Sequence, residues 1–294
     1  MHEGLIDVDG VLTAAREAKV SALDRGFLYG DSAFEVMRTY DGRAFHQDQH
    51  LRRLAGSCER LRIPMPIALS ELAVRVQRAV DGARVKLLMP DCYVRVTVTR
   101  GVGELGIRLP LNPKPSVLVY ALPLDPPSST VYEQGIEVGL VHVGRATDGT
   151  SAAGAKTSNY LTSVLALDDV RQRGAQEAIV VGVQGELIEG ATSNLFIVRK
   201  GELQTPPLSS GILAGITRAA ILELADKLHI PHREQSLSSA DLYGADEAFI
   251  TSTVRELVPV VRADGVTIGS GAPGAIFGRL LTAYRQLARA HTVA

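Results

Sequence analysis

The sequence predicts a mixed α/β chain, an α+β protein in two domains, and three observations carry that prediction. Apolar periods of two and of 3.6 residues occur side by side in both halves of the chain. A proline-rich stretch interrupts the pattern before the middle. The length, 294 residues, suits two domains or one large one at roughly 150 residues per domain.

From the N-terminus, "GLIDVDGVLTA" reads as a hairpin, with Asp9-Gly10 as the turn between two apolar runs. "HLRRLAGSCERLRI" sets Leu51, Leu54, Cys58 and Leu61 on one helical face and must end before Pro64. "SELAVRVQRAVDG" predicts a second helix, capped by Ser70 and stopped at Gly82. "DCYVRVTVTRG" alternates with period two, and "SVLVYALPL" is another strand, which completes a small N-terminal α/β domain over residues 1–122. "PLDPPSST" carries three prolines in eight residues, which disfavours helix and central strand and places an interdomain linker at 123–132.

Residues 133–294 form the expected larger C-terminal domain, opening with the strand "IEVGLVHV". "GRATDGTSAAGA", residues 144–155, is turn chemistry; "YLTSVLALDDVRQRG" then puts Leu161, Val164, Leu165 and Asp168 at helical spacing and stops at Gly174. "EAIVVGVQGELIEGATSNLFIVRKGELQTP" predicts two hairpins, turning at Gln184-Gly185 and Lys200-Gly201. "GITRAAILELADKLHI" is a helix entered from a glycine-rich loop, with Ile221, Leu224, Ala225 and Leu228 on one face. "SSADLYGADEAFITSTVRELVPVV" returns through a short helix and a strand to a Ser/Thr loop.

Composition narrows the functions open to such a chain. Hydrophobic residues at 46% and charged residues at 21% are ordinary for a folded, soluble protein, and a formal net charge of −1 gives no global field for nucleic acid or an anionic membrane. Small ligands are the better match. Cys58 and Cys92 stand without CxxC or His-Cys spacing, so neither a disulfide scaffold nor a metal site is expected. "MHEGLIDVDG" lacks a basic segment followed by an apolar one, and no apolar run reaches 18 residues, which points to the cytoplasm.

One motif misleads. "GVGELG" (Gly101, Gly103, Gly106) follows a strand and satisfies the dinucleotide fingerprint GxGxxG, which works only where the last glycine opens a helix that receives the pyrophosphate. "IRLPLNPKPS" follows instead, and Pro110, Pro113 and Pro115 forbid that helix. A nicotinamide-dependent dehydrogenase is therefore the weakest reading, and the glycines suit a loop folded closely over a neighbouring site.

"AKTSNYLTSVLA" raises a sharper question. Lysine is mostly a surface residue, but Lys156 sits at a loop-to-helix junction rather than on a charged stripe, where a desolvated amine could form a Schiff base. A helix starting at the junction would put Tyr160, four residues on, on the same side. Glu189, between a strand and Gly190, could hold a pyridine nitrogen protonated. "LAGITRAA" offers the backbone amides of Ile216 and Thr217, with the Thr217 hydroxyl, to a phosphate at a helix N-terminus. "TST" adds Ser252 and Thr253, and Arg53 could supply the compensating charge.

These segments, with "DRGFLYGDSAFEVMRTYDGRAF", "HLRRLAGSCERL", "YVRVTVTRG", "GELIEGATSNLFIV", "LQTPP", "GILAGITRAAILELA", "ADEAFITST" and "ELVPV", resemble in order and over nearly the whole chain the fold-type IV pyridoxal phosphate enzymes, the class IV aminotransferases. The resemblance implies a small N-terminal α/β domain, a larger β-barrel-like C-terminal domain with helices, and a homodimer with its active site at the domain and subunit boundary. It implies pyridoxal 5′-phosphate on Lys156, which also shuttles the proton, with Glu189 at the pyridine nitrogen and Tyr160 at the ring oxygen. Arg53, Ile216, Thr217 and Thr253 match phosphate positions, with Ser252 beside them, and Asn194 matches an asparagine behind the cofactor.

"FEVMRTY" and "YVR" are similar to branched-chain amino acid aminotransferases, which implies that Arg38, Tyr93 and Arg95 shape the substrate site. Tyr29 and Phe34 could add an apolar wall there, and Val254 is grouped with the substrate residues. The expected reaction is amino transfer between an aliphatic, branched-chain L-amino acid and 2-oxoglutarate. The short spacing in "KTSNY" resembles D-amino acid aminotransferases and lyases, so a D-amino acid or (R)-amine aminotransferase is the alternative. Aminodeoxychorismate lyases usually carry threonines where this chain has Glu35 and Val36, which makes that reading weaker.

Overall fold

A computed structural model describes residues 3–142, 152 and 154–293. By Cα proximity the chain divides into two units, Met1–Asp125 with Gly149–Asn159 and Arg289–Ala294, and Pro126–Asp148 with Tyr160–Ala288. Sequence alone assigns the Lys156 segment to the C-terminal domain. It is grouped with the first unit because its backbone pairs there: Thr157 bridges Ala33, and Ser158 N–H donates to Ser32 O at 3.2 Å.

In the first unit β1 (Leu5–Val8) and β2 (Val11–Ala14) form the expected hairpin, with Asp9 and Gly10 at φ 49° and 96° as a two-residue primed turn requires. Helix α1 (Arg25–Tyr29) is capped by the Asp24 carboxylate and leads into β3 (Ser32–Tyr40) and β4 (Arg43–Ala44). Helices α2 (Gln47–Arg60) and α3 (Leu69–Leu87) precede β5 (Cys92–Thr99) and β6 (Ser116–Pro123). The sheet runs β2-β1-β6-β5-β3-β4, and every neighbouring pair in it is antiparallel.

One face of that sheet carries Ala33, Met37, Val94, Val96, Val117 and Val119, and packs on Leu51, Leu54 and Cys58 of α2 and on Leu72, Val76 and Ala79 of α3. Period two sends Phe34, Val36 and Arg38 to the other face, in register with Thr97, Arg95 and Tyr93. Helix α3 departs from expectation at both ends. Its N-cap is Ala68, not Ser70, and it runs through Gly82 to Leu87. A Cβ at Gly82 would come within 2.8 Å of Leu5 Cδ1, so this glycine permits close helix-to-strand packing instead of ending the helix. After β5, residues 101–115 form no helix, as the prolines require.

The second unit begins inside the expected linker, where α4 (Ser129–Gln134) starts just beyond the last of the three prolines. It continues through β7 (Ile136–His142), α5 (Leu161–Gln172), β8 (Glu177–Val181), β9 (Leu187–Gly190), β10 (Asn194–Arg199) and β11 (Glu202–Thr205). Then come α6 (Ile216–Lys227), β12 (His232–Glu234), α7 (Ser239–Tyr243), β13 (Glu247–Ser252), β14 (Glu256–Ala263), β15 (Val266–Thr267) and α8 (Ala275–Val293). Most of the turn expected at 144–155 lies outside the described residues.

Both expected hairpins form, β8 with β9 and β10 with β11. The mixed sheet runs β12-β11-β10-β13-β14-β7-β8-β9, with β15 on β14. The last strand returns to the third through the Gly190–Ser193 bridge, so the sheet curls back on itself around Val138, Ile179, Leu195, Ile250 and Val258. Phe196 and Phe249 stack on its other face with ring centroids 5.2 Å apart, and Phe277 of α8 packs on Phe249. Helix α5 buries Ala166 and Val170, while Leu161, Val164 and Leu165 are 71%, 56% and 60% exposed. Among the described residues no helix is long and apolar enough to cross a membrane.

Candidate active site

In the first unit Lys156 lies on a short extended segment laid against the start of β3. Its carbonyl accepts Phe34 N–H at 3.0 Å, its own N–H donates to Ser57 Oγ of α2 at 3.1 Å, and Ser158 and Ser32 join through their hydroxyls at 2.7 Å. The lysine is half-buried, and its Nζ is 4.6 Å from the centroid of the Phe34 ring. Arg95 Cζ lies 3.8 Å from the same centroid. Two cations thus meet one buried ring, whose electron-rich face partly offsets their repulsion. Helix α5 starts only at Leu161, with Tyr160 as its N-cap residue, so Lys156 and Tyr160 do not share a helical face as expected.

The face that carries Phe34 also holds Arg38, Tyr93 and Arg95, so the register brings together four of the residues expected around the substrate. Arg38 rests on the Tyr40 ring at 4.5 Å. Tyr120 of β6 pairs with Arg95 on this face, and sequence reasoning missed it; the period-two pattern of "SVLVYALPL" was the available signal. Burial pushes the Tyr120 phenol up from its usual range, with Arg95 acting against the rise and Tyr93 adding to it. Tyr29 stands at the end of α1, where its hydroxyl accepts Gly106 N–H at 2.9 Å and Arg25 lies 4.9 Å over its ring. It therefore holds the 101–107 loop.

On the opposite face of β3, Glu35 is fully buried and engaged by α2. Arg53 grips it through Nε to Oε1 at 2.6 Å and Nη2 to Oε2 at 2.8 Å, and His50 Nδ1 is 2.7 Å from Oε2. Burial alone would raise the carboxyl, but the hydrogen bonds and charges of Arg53 and then His50 prevail and hold it at about 2. An ionised carboxylate only accepts, so His50 Nδ1 carries the proton that is shared. Burial also pushes the His50 ring below its usual range, against the pull of Glu35. Arg53 is thus no solvated surface residue.

In the second unit, Glu189 of β9 is half-buried and its Oε2 accepts Leu213 N–H at 3.0 Å and the Asn194 amide at 3.2 Å. Asn194 also donates to Leu213 O at 3.0 Å, which braces the loop before α6. Gly215 is the N-cap residue of α6 and among the described residues it brings no side-chain cap, so the first amides, those of Ile216 and Thr217 included, lie where an anion is favoured. A Cβ at Gly215 would overlap Asn194 Oδ1. The antiparallel pairing sets Asn194 opposite Thr251, so β10 begins where β13 ends at Ser252, and the turn of Thr253, Val254 and Arg255 follows. Arg255 pins that turn through Glu177 at 2.6 Å and Thr192 Oγ1 at 2.8 Å. The Thr251 and Ser193 hydroxyls are buried with no hydrogen-bond partner among the described residues.

Each unit therefore carries a cluster that chemistry can use: a half-buried amine among aromatic and cationic side chains, and an oriented carboxylate beside an uncapped helix N-terminus. Residues 32–263 match the model of the family described as amino-transferase class IV. The chain belongs to the class IV aminotransferases.

As a member of that family it is an enzyme, an aminotransferase. Over 282 residues, 96% of both chains, it is 38% identical to the putative branched-chain-amino-acid aminotransferase of Methanocaldococcus jannaschii. The crystal structure of the Escherichia coli branched-chain amino acid aminotransferase superposes with a TM-score of 0.90 at 34% identity, covering 97% of this chain and 94% of that one. The T.th. branched-chain amino acid aminotransferase complexed with N-(5′-phosphopyridoxyl)-L-glutamate gives a TM-score of 0.85 at 31% identity, with 97% and 94% covered. A D-alanine aminotransferase of Bacillus licheniformis is 31% identical over 95% of each chain. The mixed α/β architecture is that of the branched-chain aminotransferase structures.

Proposed function

We propose that this aminotransferase uses pyridoxal 5′-phosphate to move an amino group between an aliphatic, branched-chain L-amino acid and 2-oxoglutarate. The observation that carries the reading is the setting of Lys156: a lysine fixed by backbone pairing to a sheet, half-buried, with its amine over an aromatic ring. The donor set suits the cofactor. The α6 N-terminus fits a phosphate dianion, and the Gly215 backbone approaches Asn194 too closely for any side chain. Glu189, aimed by two donors on one oxygen, is the kind of acceptor that keeps a pyridine nitrogen protonated.

When bound, pyridoxal phosphate supplies the electron sink for charge that develops at the substrate α-carbon. The chain's own part is to hold and move protons. The Lys156 amine would take the proton from the substrate α-carbon and hand it on to the carbon that joins cofactor and amino group, and Glu189 would hold the proton at the pyridine nitrogen. Tyr160 would donate to the ring oxygen, and Arg53, Ile216, Thr217, Ser252 and Thr253 would receive the phosphate. Phe34, Arg38, Tyr93, Arg95, Val254 and Tyr29 are assigned to the substrate, with the Tyr93 hydroxyl and the Arg95 guanidinium available to a second carboxylate that leucine lacks. The names of the relatives at 38% and 34% identity and the L-glutamate adduct of the T.th. enzyme support this donor and acceptor pair. A homodimer is also proposed, supported by the apolar stripe Leu161, Val164 and Leu165 that α5 leaves exposed.

The D-amino acid reading has its own support in the short "KTSNY" spacing and the 31% identity to a D-alanine aminotransferase. Two experiments test the proposal. Borohydride reduction of the yellow protein should fix the cofactor to Lys156; an adduct on any of the other five lysines sinks the assignment. L-leucine, L-valine, D-alanine, D-glutamate and (R)-phenylethylamine should then be assayed against 2-oxoglutarate. Rapid turnover of D-alanine with none of L-leucine would replace the substrate and leave the cofactor chemistry standing.

A further inference from the structure

Glu35 lies on the face of β3 away from Phe34 and Lys156, among the helices. It is a fully buried carboxylate on a sheet face that is apolar around it, with Asp7 and Thr39 the other buried polar residues of that face, and such a charge is costly unless paired. Its partners come from one helix: His50 and Arg53 lie one turn apart on α2, and Ser57, one turn further, holds the Lys156 backbone. The fork is bidentate, so the guanidinium plane is set by the carboxylate and not by the long, flexible side chain that carries it. Two of the five N–H donors of Arg53 are spent on holding that plane. His50 in turn fixes the carboxylate, leaving little freedom for the whole set.

We propose that Glu35 is a positioning residue for the cofactor phosphate: it does not touch the ligand but fixes the orientation in which Arg53 meets it, with His50 locking the carboxylate. The proposal rests on the reading of Arg53 as a phosphate residue. It makes a prediction opposite in sign to simple Coulomb attraction. A negative charge beside a dianion's site should weaken binding, so removing it as Glu35→Gln should tighten the cofactor if charge alone mattered. If Glu35 positions Arg53, the same change weakens it.

The test compares pyridoxal 5′-phosphate with pyridoxal, which lacks the phosphate, by spectral titration of the full-length chain freed of cofactor. The ratio of the two affinities isolates what the phosphate contributes. In Glu35→Gln the ratio should fall at least tenfold, on the order of one lost charge-assisted contact, with pyridoxal affinity unchanged within about twofold. An unchanged or larger ratio, or equal loss of both ligands, overturns the proposal. Should Glu35→Gln not fold, Glu35→Asp keeps the charge but withdraws it, and an intermediate fall in the ratio is expected; no fall there overturns the proposal equally. A wild-type chain that binds neither ligand would instead refute the function itself.

Discussion

Gly215→Ala is a one-methyl change that the second unit should feel strongly. Gly215 sits at φ −66° and ψ 131°, a backbone that alanine adopts without strain, so the effect must come from the added carbon. That carbon would overlap Asn194 Oδ1 and lie 3.2 Å from Arg218 Cβ. Asn194 is 5% exposed and cannot turn aside without breaking its bonds to Glu189 and Leu213. One of those bonds goes to a carboxylate and one to a carbonyl, together worth about 3 kcal/mol; a shift of the α6 N-terminus recovers part, leaving a loss of roughly 2 kcal/mol. In a cooperative unit of this size that lowers Tm by roughly 4–8 °C. Thermal unfolding of the cofactor-free chain reads it, and the same change made on an Asn194→Ala background should cost less than about 0.5 kcal/mol. A Tm that moves by less than about 1 °C, or an equal loss on both backgrounds, would mean that the added carbon does not act through Asn194.

Three further outcomes are expected. Glu189→Gln keeps an oxygen for Leu213 N–H and for Asn194, so the fold should persist while kcat falls roughly 10²- to 10³-fold, as when one preorganised charge contact is removed; unchanged kcat defeats the electron-sink role. The folded-state value of about 2 for Glu35 lies below the ordinary 4.5, so the stability it lends is complete above pH 4.5 and is lost as pH falls from there towards 2. Urea unfolding at pH 6 and pH 3 should show most of that loss, roughly 2 kcal/mol, and Glu35→Gln should flatten it; an identical slope in both proteins contradicts the pairing. Leu165→Glu places a charge on the exposed α5 stripe and should shift sedimentation from dimer towards monomer with no loss of helix; a wild type that is active as a monomer removes the premise.

What is legible in the sequence is local. The Asp9-Gly10 hairpin, the apolar face of α2 and the absence of a helix after "GVGELG" all follow from chemistry within a dozen residues, and the structure has them. Gly82 misleads because a glycine that admits a neighbouring strand looks, in sequence, like one that stops a helix. The pairing of Tyr160 with Lys156 on one helix fails for another reason: the lysine is held by Phe34 and Ser57, and Ser158 beside it by Ser32, all about a hundred residues away or more, and no local period encodes that. The Glu35 cluster does leave a trace. Ala33, Glu35 and Met37 alternate as one face, and His50, Arg53 and Ser57 form a polar stripe beside Leu51, Leu54 and Cys58. A carboxylate in an apolar alternation opposite a polar helical stripe is a readable sign of a buried ion pair. It is easily passed over because arginine and glutamate are mostly surface residues.

Arg53→Ala, the obvious probe of phosphate binding, is compromised by the same geometry. It would leave Glu35 buried with His50 alone, a defect worth about 3–5 kcal/mol, and so confound lost anchoring with lost stability.

Strand β3 imposes one more constraint. Phe34 meets Lys156 and Arg95 on one side of the sheet while its neighbour Glu35 meets Arg53 on the other, so two clusters of different chemistry hang on adjacent residues of one extended backbone. A slip of a single residue exchanges the two sides, sending the ring among the helices and the carboxylate to the lysine. Composition along this strand is therefore free to drift at positions such as Val36, but its phase is not. A deletion or a bulge anywhere between Ser32 and Glu35 would invert both clusters at once, and the segment should tolerate substitution far better than any change in length.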